Sequence, residues 1–141
     1  MIRIAAKLAF FAAAGGLLLA GTAVEARSRL SGKEQLARLL EGRVAGEPVN
    51  CIALPRVTSS TVIDKTAIVY DSGSTRYVQQ PKSGAEALDS NDILITQVPG
   101  VQLCSIDVVQ LRDRNGHFWR GFVGLDKFVP YRRPRKVAMA D

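Results

Sequence analysis

CIALPRVTSSTVIDKTAIVYDSGSTRYVQQPKSGAEALDSNDILITQVPGVQLC, residues 51–104, opens and closes on the two cysteines of the chain. Inside it, short runs rich in Val, Ile, Thr and Tyr are punctuated by Gly, Pro, Asn and Asp, the texture of strands joined by turns. The spacing predicts strands near Val57–Ile63, Thr66–Asp71, Arg76–Gln80 and Ile93–Gln97. Asp64-Lys65 and Asp71–Thr75 read as hairpin turns, and Pro81–Asn91 as the longest surface loop. Beyond Cys104 the same texture predicts strands at Asp107–Arg112 and His117–Val123, then a last extended piece at Lys127–Tyr131. Arg114-Asn115-Gly116 carries the Asn-Gly pair that favours a type I′ turn, because both residues tolerate positive φ. No helical period separates these runs, so pairing is antiparallel rather than βαβ. The expected fold is mainly β, a small antiparallel barrel or sandwich of about six or seven strands.

One short helix is expected ahead of the strands, within Arg27–Gly46. Ser31 caps it with Glu34 three residues on, and Gly42 is a reasonable stop. Leu36, Leu39 and Leu40 form a narrow apolar stripe flanked by Lys33, Arg38 and Glu41, as on a lid packed against a sheet.

The N-terminus reads as an address. Arg3 and Lys7 precede an uncharged apolar run, Leu8–Ala20, followed by small residues. This is the pattern of a secretory signal peptide over residues 1–26, cleaved after Ala23 or Ala26. The apolar run is too short to span a bilayer comfortably, which takes about 20 residues. No transmembrane span is expected once it is removed.

Export bears on the cysteines. Cys51 and Cys104 are too far apart for a CxxC redox motif, and two thiols alone make a poor zinc site. They are either two inert core thiols, as in a cytosolic protein, or one structural disulfide, as outside the cytosol. The expected periplasmic or secreted location selects the disulfide, which would stabilise the fold by roughly 4 kcal/mol.

The formal net charge is +6. Arg132, Arg133, Arg135 and Lys136 supply four of the positive charges, so the folded body, 49–131 behind a lead-in at 27–48, is nearly neutral. The basic character lives in the tail, 132–141, and no nucleic-acid partner is expected. Outside the cytoplasm the acidic surfaces are anionic head groups and lipopolysaccharide phosphates.

Catalytic signals are sparse. His117 is the one histidine, and no serine sits in a nucleophile elbow that it could serve. No metal-ligand spacing and no Gly-rich phosphate loop occur, so neither metal nor cofactor is expected. His117-Phe-Trp-Arg-Gly-Phe122 is the aromatic cluster. Strand alternation would set His117 and Trp119 on one face as a binding surface, with Phe118 and Phe122 packing the core from the other. Tyr70 and Tyr77 flank a turn and are expected to pair across strands.

Cys51-Ile52, Val62-Ile63-Asp64 with the run to Tyr70, Leu103-Cys104-Ser-Ile-Asp107, and Gly124 with Phe128-Val-Pro-Tyr131 together resemble one family. It is a group of small, exported, uncharacterised alphaproteobacterial proteins, a domain of unknown function. The resemblance spans roughly Asn50–Arg133. It implies an exported, disulfide-bearing β-domain with no assigned catalytic residues. Two further cysteines of that family fall at Ala85 and Phe122 here, and their joint absence implies that Cys51 pairs with Cys104.

The expected function is therefore a non-catalytic envelope-associated or binding role. Contact would be with anionic envelope components or an exported protein, through the tail or the Trp119 and His117 face. The alternatives are an exported inhibitor of a hydrolase and a small hydrolase using His117.

Overall fold

The computed structural model describes residues 29–136, so the signal-peptide reading and the end of the tail lie outside the described residues. Helix α1 spans Gly32–Leu39. Its start is the expected capping box: the Ser31 hydroxyl accepts from Glu34 N at 3.3 Å, and Glu34 Oε2 accepts from Ser31 N at 2.7 Å. The Ser31 hydroxyl and N–H pull the Glu34 carboxyl below the ordinary carboxylate range. The helix is shorter than the window Arg27–Gly46. Gly42 at φ +71° turns the chain, and Val44–Ala45 then forms strand β1 against the last strand.

Nine further strands follow: β2 Cys51–Ala53, β3 Ser59–Ile63, β4 Ala67–Ser72, β5 Thr75–Gln79, β6 Asp92–Thr96, β7 Gln102–Cys104, β8 Val108–Asp113, β9 Trp119–Gly124 and β10 Phe128–Arg132. They form three antiparallel sheets, in the orders β1-β10-β5-β4-β3, β6-β8-β9 and β2-β7. The sheets do not close into a barrel; the architecture is sandwich-like. The strands anticipated from composition are all present. The three that were not, β1, β2 and β7, have only two or three residues each and cannot display a period of two.

The core lies between the sheets. Ile68, Tyr70 and Phe128 of the five-stranded sheet meet Val109, Leu111 and Val123 of the three-stranded one. Ile52 and Leu103 join from the β2–β7 ladder, where Cys51 and Cys104 stand opposite each other and are joined as a disulfide. On the other face of the five-stranded sheet, Ile63, Ala67, Val69 and Val78 are covered by Leu36, Leu39, Leu40 and Tyr131. The helix is the expected lid. Strand β4 is thus apolar on both faces, and its residues 67–70 are all buried.

Tyr70 pairs with Tyr77 across β4 and β5 as expected, and its ring meets Phe128 edge-on with centroids 6.0 Å apart. Its hydroxyl is buried without a hydrogen-bond partner among the described residues, and burial pushes its pKa far up. An unsatisfied buried hydroxyl costs about 1–3 kcal/mol. Tyr70→Phe is therefore expected to leave stability unchanged or raise it by about 1 kcal/mol, read from the denaturation midpoint. A loss above about 1 kcal/mol would mean that the hydroxyl has a partner.

The β8–β9 turn departs from expectation. Positive φ falls on His117 (+55°), not on Asn115 or Gly116. The Asp113 carboxylate accepts from Asn115 N at 2.9 Å and Gly116 N at 2.5 Å, while Asp113 N donates to Phe118 O at 3.0 Å. A carboxylate that captures the loop N–H groups favours this wider four-residue loop over the two-residue type I′ turn.

Candidate functional site

Two surfaces emerge, on different sheets. The first is the outward face of the three-stranded sheet. Between β8 and β9 the register runs Gln110 with Phe122 and Leu111 with Gly121, then shifts to Arg112 with Trp119. Arg120 is the extra residue of a bulge, and Gly121 at φ +149° supplies the conformation. Val109 and Leu111 are buried, so Gln110 and Arg112 point outward, and their partners Phe122 and Trp119 do the same. The bulge thus overturns the strict alternation: Trp119 and Phe122 share one face and are 59% and 55% exposed. Phe118, placed in the core by the sequence pattern, is exposed beside the loop. His117 lies in that loop rather than on a strand face, and its side chain makes no hydrogen bond with the described residues. Ile93 and Ile95 stand opposite Arg112 and Gln110, adding a half-buried apolar margin.

Arg120 instead reaches toward the 87–92 segment. Its Nη2 donates to Ala87 O at 3.2 Å, its Nη1 lies 3.4 Å from Asp89 Oδ2, and its Nε lies 3.3 Å from Asp92 Oδ1. The Asp92 side chain is fully buried. Burial raises its carboxyl pKa, and Arg120 opposes that rise. Asp113 is shifted the other way, its carboxylate stabilised first by the Gly116 N–H. In a carboxyl NMR titration Asp92 is expected to titrate above the ordinary aspartate value, and Asp113 and Glu34 below theirs. The signs for stability are opposite. The Asp113 and Glu34 contributions are lost as pH falls through their lowered values, whereas the Asp92 penalty is relieved as pH falls through its raised one.

The second surface is cationic. Arg132 does not belong to a loose tail: it ends β10, opposite Val44 of β1 and Thr75 of β5, and its Nε donates to Thr75 Oγ1 at 3.0 Å. Next to it converge the end of α1, the β4–β5 hairpin and Arg133. Arg38, Leu39, Glu41, Gly42, Arg43, Arg76 and Arg133 line one open depression of about 440 Å³. Arg43 Nη1 donates to Ser74 O at 2.7 Å and to Tyr131 O at 3.3 Å. Arg76 donates to Asp71 Oδ1 at 2.9 Å and to the helix-terminal carbonyl of Leu39. Desolvation, then the neighbouring Arg76 and Arg133 charges, lower the Arg43 pKa. Arg135 and Lys136 follow, exposed, outside the depression.

The fold therefore gathers Arg133 with three arginines that sequence reasoning missed as a group. Arg38 stood out only as a flank of the helix stripe. Arg43 and Arg76 gave no local signal, because their meeting depends on the β10–β5 register. The tail cations and the Trp119 face are not brought together. Comparisons with protein-family models, with curated proteins and with solved structures return no match.

Proposed function

We propose that the protein is an exported, non-catalytic β-domain that attaches to anionic components of the cell envelope through its arginine end. One observation carries this reading: Arg38, Arg43, Arg76 and Arg133 surround a single depression that holds one carboxylate, Glu41, with Asp71 paired to Arg76 beside it. Cations near an anionic surface are each worth about 1 kcal/mol at modest salt. Arg132, Arg135 and Lys136 adjoin the depression in sequence, which extends the positive surface. Export is supported by the apolar N-terminal run and the disulfide.

Co-sedimentation with anionic vesicles tests this, comparing the exported chain with one truncated after Arg132, which leaves β10 whole. Salt-sensitive binding that weakens on truncation is expected. Equal binding by the two forms, or none by either, would refute it.

A second reading is favoured by a different observation, the exposure of Phe118, Trp119 and Phe122 together. Aromatic residues exposed as a group suit a protein partner, including a hydrolase inhibited by this domain. A pull-down on exported hydrolases that depends on Trp119 would support it.

A further inference from the structure

The arginine depression has a chemistry narrower than general positive charge. Arg38 and Arg133 make no side-chain hydrogen bond or ion pair with any described residue. Arg43 and Arg76 are anchored by the carbonyls of Ser74, Tyr131 and Leu39 and by Asp71. These bonds use Nη1 of Arg43, and Nε and Nη1 of Arg76, leaving Nε and Nη2 of Arg43 and Nη2 of Arg76 without a described partner. Two anchored guanidinium groups on half-buried residues and two unpaired ones on exposed residues thus line the depression.

Satisfying the helix end does not require this many cations. The Leu39 carbonyl already has Arg76, and Leu40 N–H closes the last turn on Leu36 O. The neighbouring Asp71 is also engaged by the Ser59 hydroxyl at 2.9 Å, so its charge is spread over two donors. Four guanidinium groups share the depression with one carboxylate, Glu41, which leaves an excess of like charge that a bound anion would relieve. Guanidinium forks match phosphate oxygens in pairs, and fixing them beforehand reduces the entropy lost on binding. A phosphomonoester offers up to two charges and three oxygens to several forks at once, more than a carboxylate or a diester does.

We propose that Arg38, Arg43, Arg76 and Arg133 form a discrete phosphomonoester-binding site. It rests on the envelope reading above and deepens it: the group recognised is a terminal phosphate, borne by a lipid or glycolipid head group or met as a soluble phosphate. The depression is far larger than a phosphate ion, leaving room for the group that carries it.

The test is calorimetric titration of the exported chain with inorganic phosphate, alongside the double variant Arg38→Gln, Arg133→Gln. Those two side chains make no hydrogen bond or ion pair with the described residues, so the fold should be kept and the thermal midpoint moved only by the loss of the Arg38 charge at the end of α1. Saturable binding that the variant weakens by at least about tenfold is expected. Vesicles carrying phosphatidic acid should bind better than vesicles of matched charge carrying phosphatidylglycerol, and the variant should lose that preference. Unchanged phosphate affinity in the variant would overturn the site, while salt-sensitive attachment to both vesicle types would keep the envelope reading. Saturable phosphate binding without vesicle binding at any salt would keep the site and overturn the envelope reading. Binding to neither probe would overturn both.

Discussion

Replacing Cys51 and Cys104 together by serine is expected to lower the unfolding free energy by about 4 kcal/mol. The two cysteines close a segment with a sequence separation of 53, and the chain-entropy model gives that value for a loop of this length. The location of the bond adds to the effect. It ties β2 to β7, a ladder of three residues on each side, which has little backbone pairing of its own. Ile52 and Leu103 are the next pair of this ladder and are buried in the core, so loosening the ladder also exposes buried side chains. A domain of this size has a total stability of about 5–15 kcal/mol, so the loss is a large share of it. Urea midpoints of the wild type and the double serine variant measure it. A difference below about 1 kcal/mol would show that the ladder holds without the bond.

Arg120→Ala is expected to cost about 3 kcal/mol. Its removal leaves Asp92 fully buried with no opposing cation, and breaking a buried pair from one side costs about 3–5 kcal/mol. The low end applies because the Arg120 side chain is 27% exposed and solvent screens part of the attraction. The bond from Arg120 to Ala87 O and the pair with Asp89 go as well, which loosens the segment that packs along β9. Adding Asp92→Asn should recover part of the loss, since the stranded charge is then gone. The deficit also has a pH signature. The Asp92 pKa is raised by burial and rises further without Arg120, so the charged form is penalised above it. The loss should be fully present at neutral pH and shrink as pH falls through that raised value. A deficit independent of pH would place the effect in packing rather than in the stranded carboxylate.

Features encoded locally were legible before the fold was known. The Ser31–Glu34 capping box lies within one helical turn, and the β4–β5 hairpin is written in Asp71-Ser-Gly-Ser-Thr75. Leu36, Leu39 and Leu40 identified the lid because helical spacing alone puts them on one side. What was missed depends on partners distant in sequence. Val44–Ala45 is a strand only because β10 offers it an edge, and β2 and β7 are strands because each pairs with the other.

The aromatic face failed for a different reason. One extra residue at Arg120 reverses which side every later residue of β9 faces, so a correct strand assignment gave an incorrect side for Phe122. Gly121, an isolated glycine inside a strand pattern, was the available signal. At the cationic end the run Arg132–Lys136 was visible as an anionic-surface contact, but as a tail beyond the folded body and not as part of a site with other elements. The converging side chains, Arg38, Arg43 and Arg76, come from α1, the segment after it and β5. A linear reading sees three scattered charges there, and only the packing of helix on sheet makes them one site.

Trp119 is the one tryptophan of the chain and stands on the aromatic face, on a different sheet from the arginine depression. Its emission therefore reports which surface meets an anionic membrane. The direct measurement is Trp119 fluorescence during titration with anionic vesicles, with co-sedimentation run on the same samples. If the arginine end docks, the protein sediments with the vesicles, release follows added salt, and the emission maximum stays where it is in free protein. A blue shift that accompanies sedimentation and persists in Arg38→Gln, Arg133→Gln would place the contact on the aromatic face and contradict docking through the arginines.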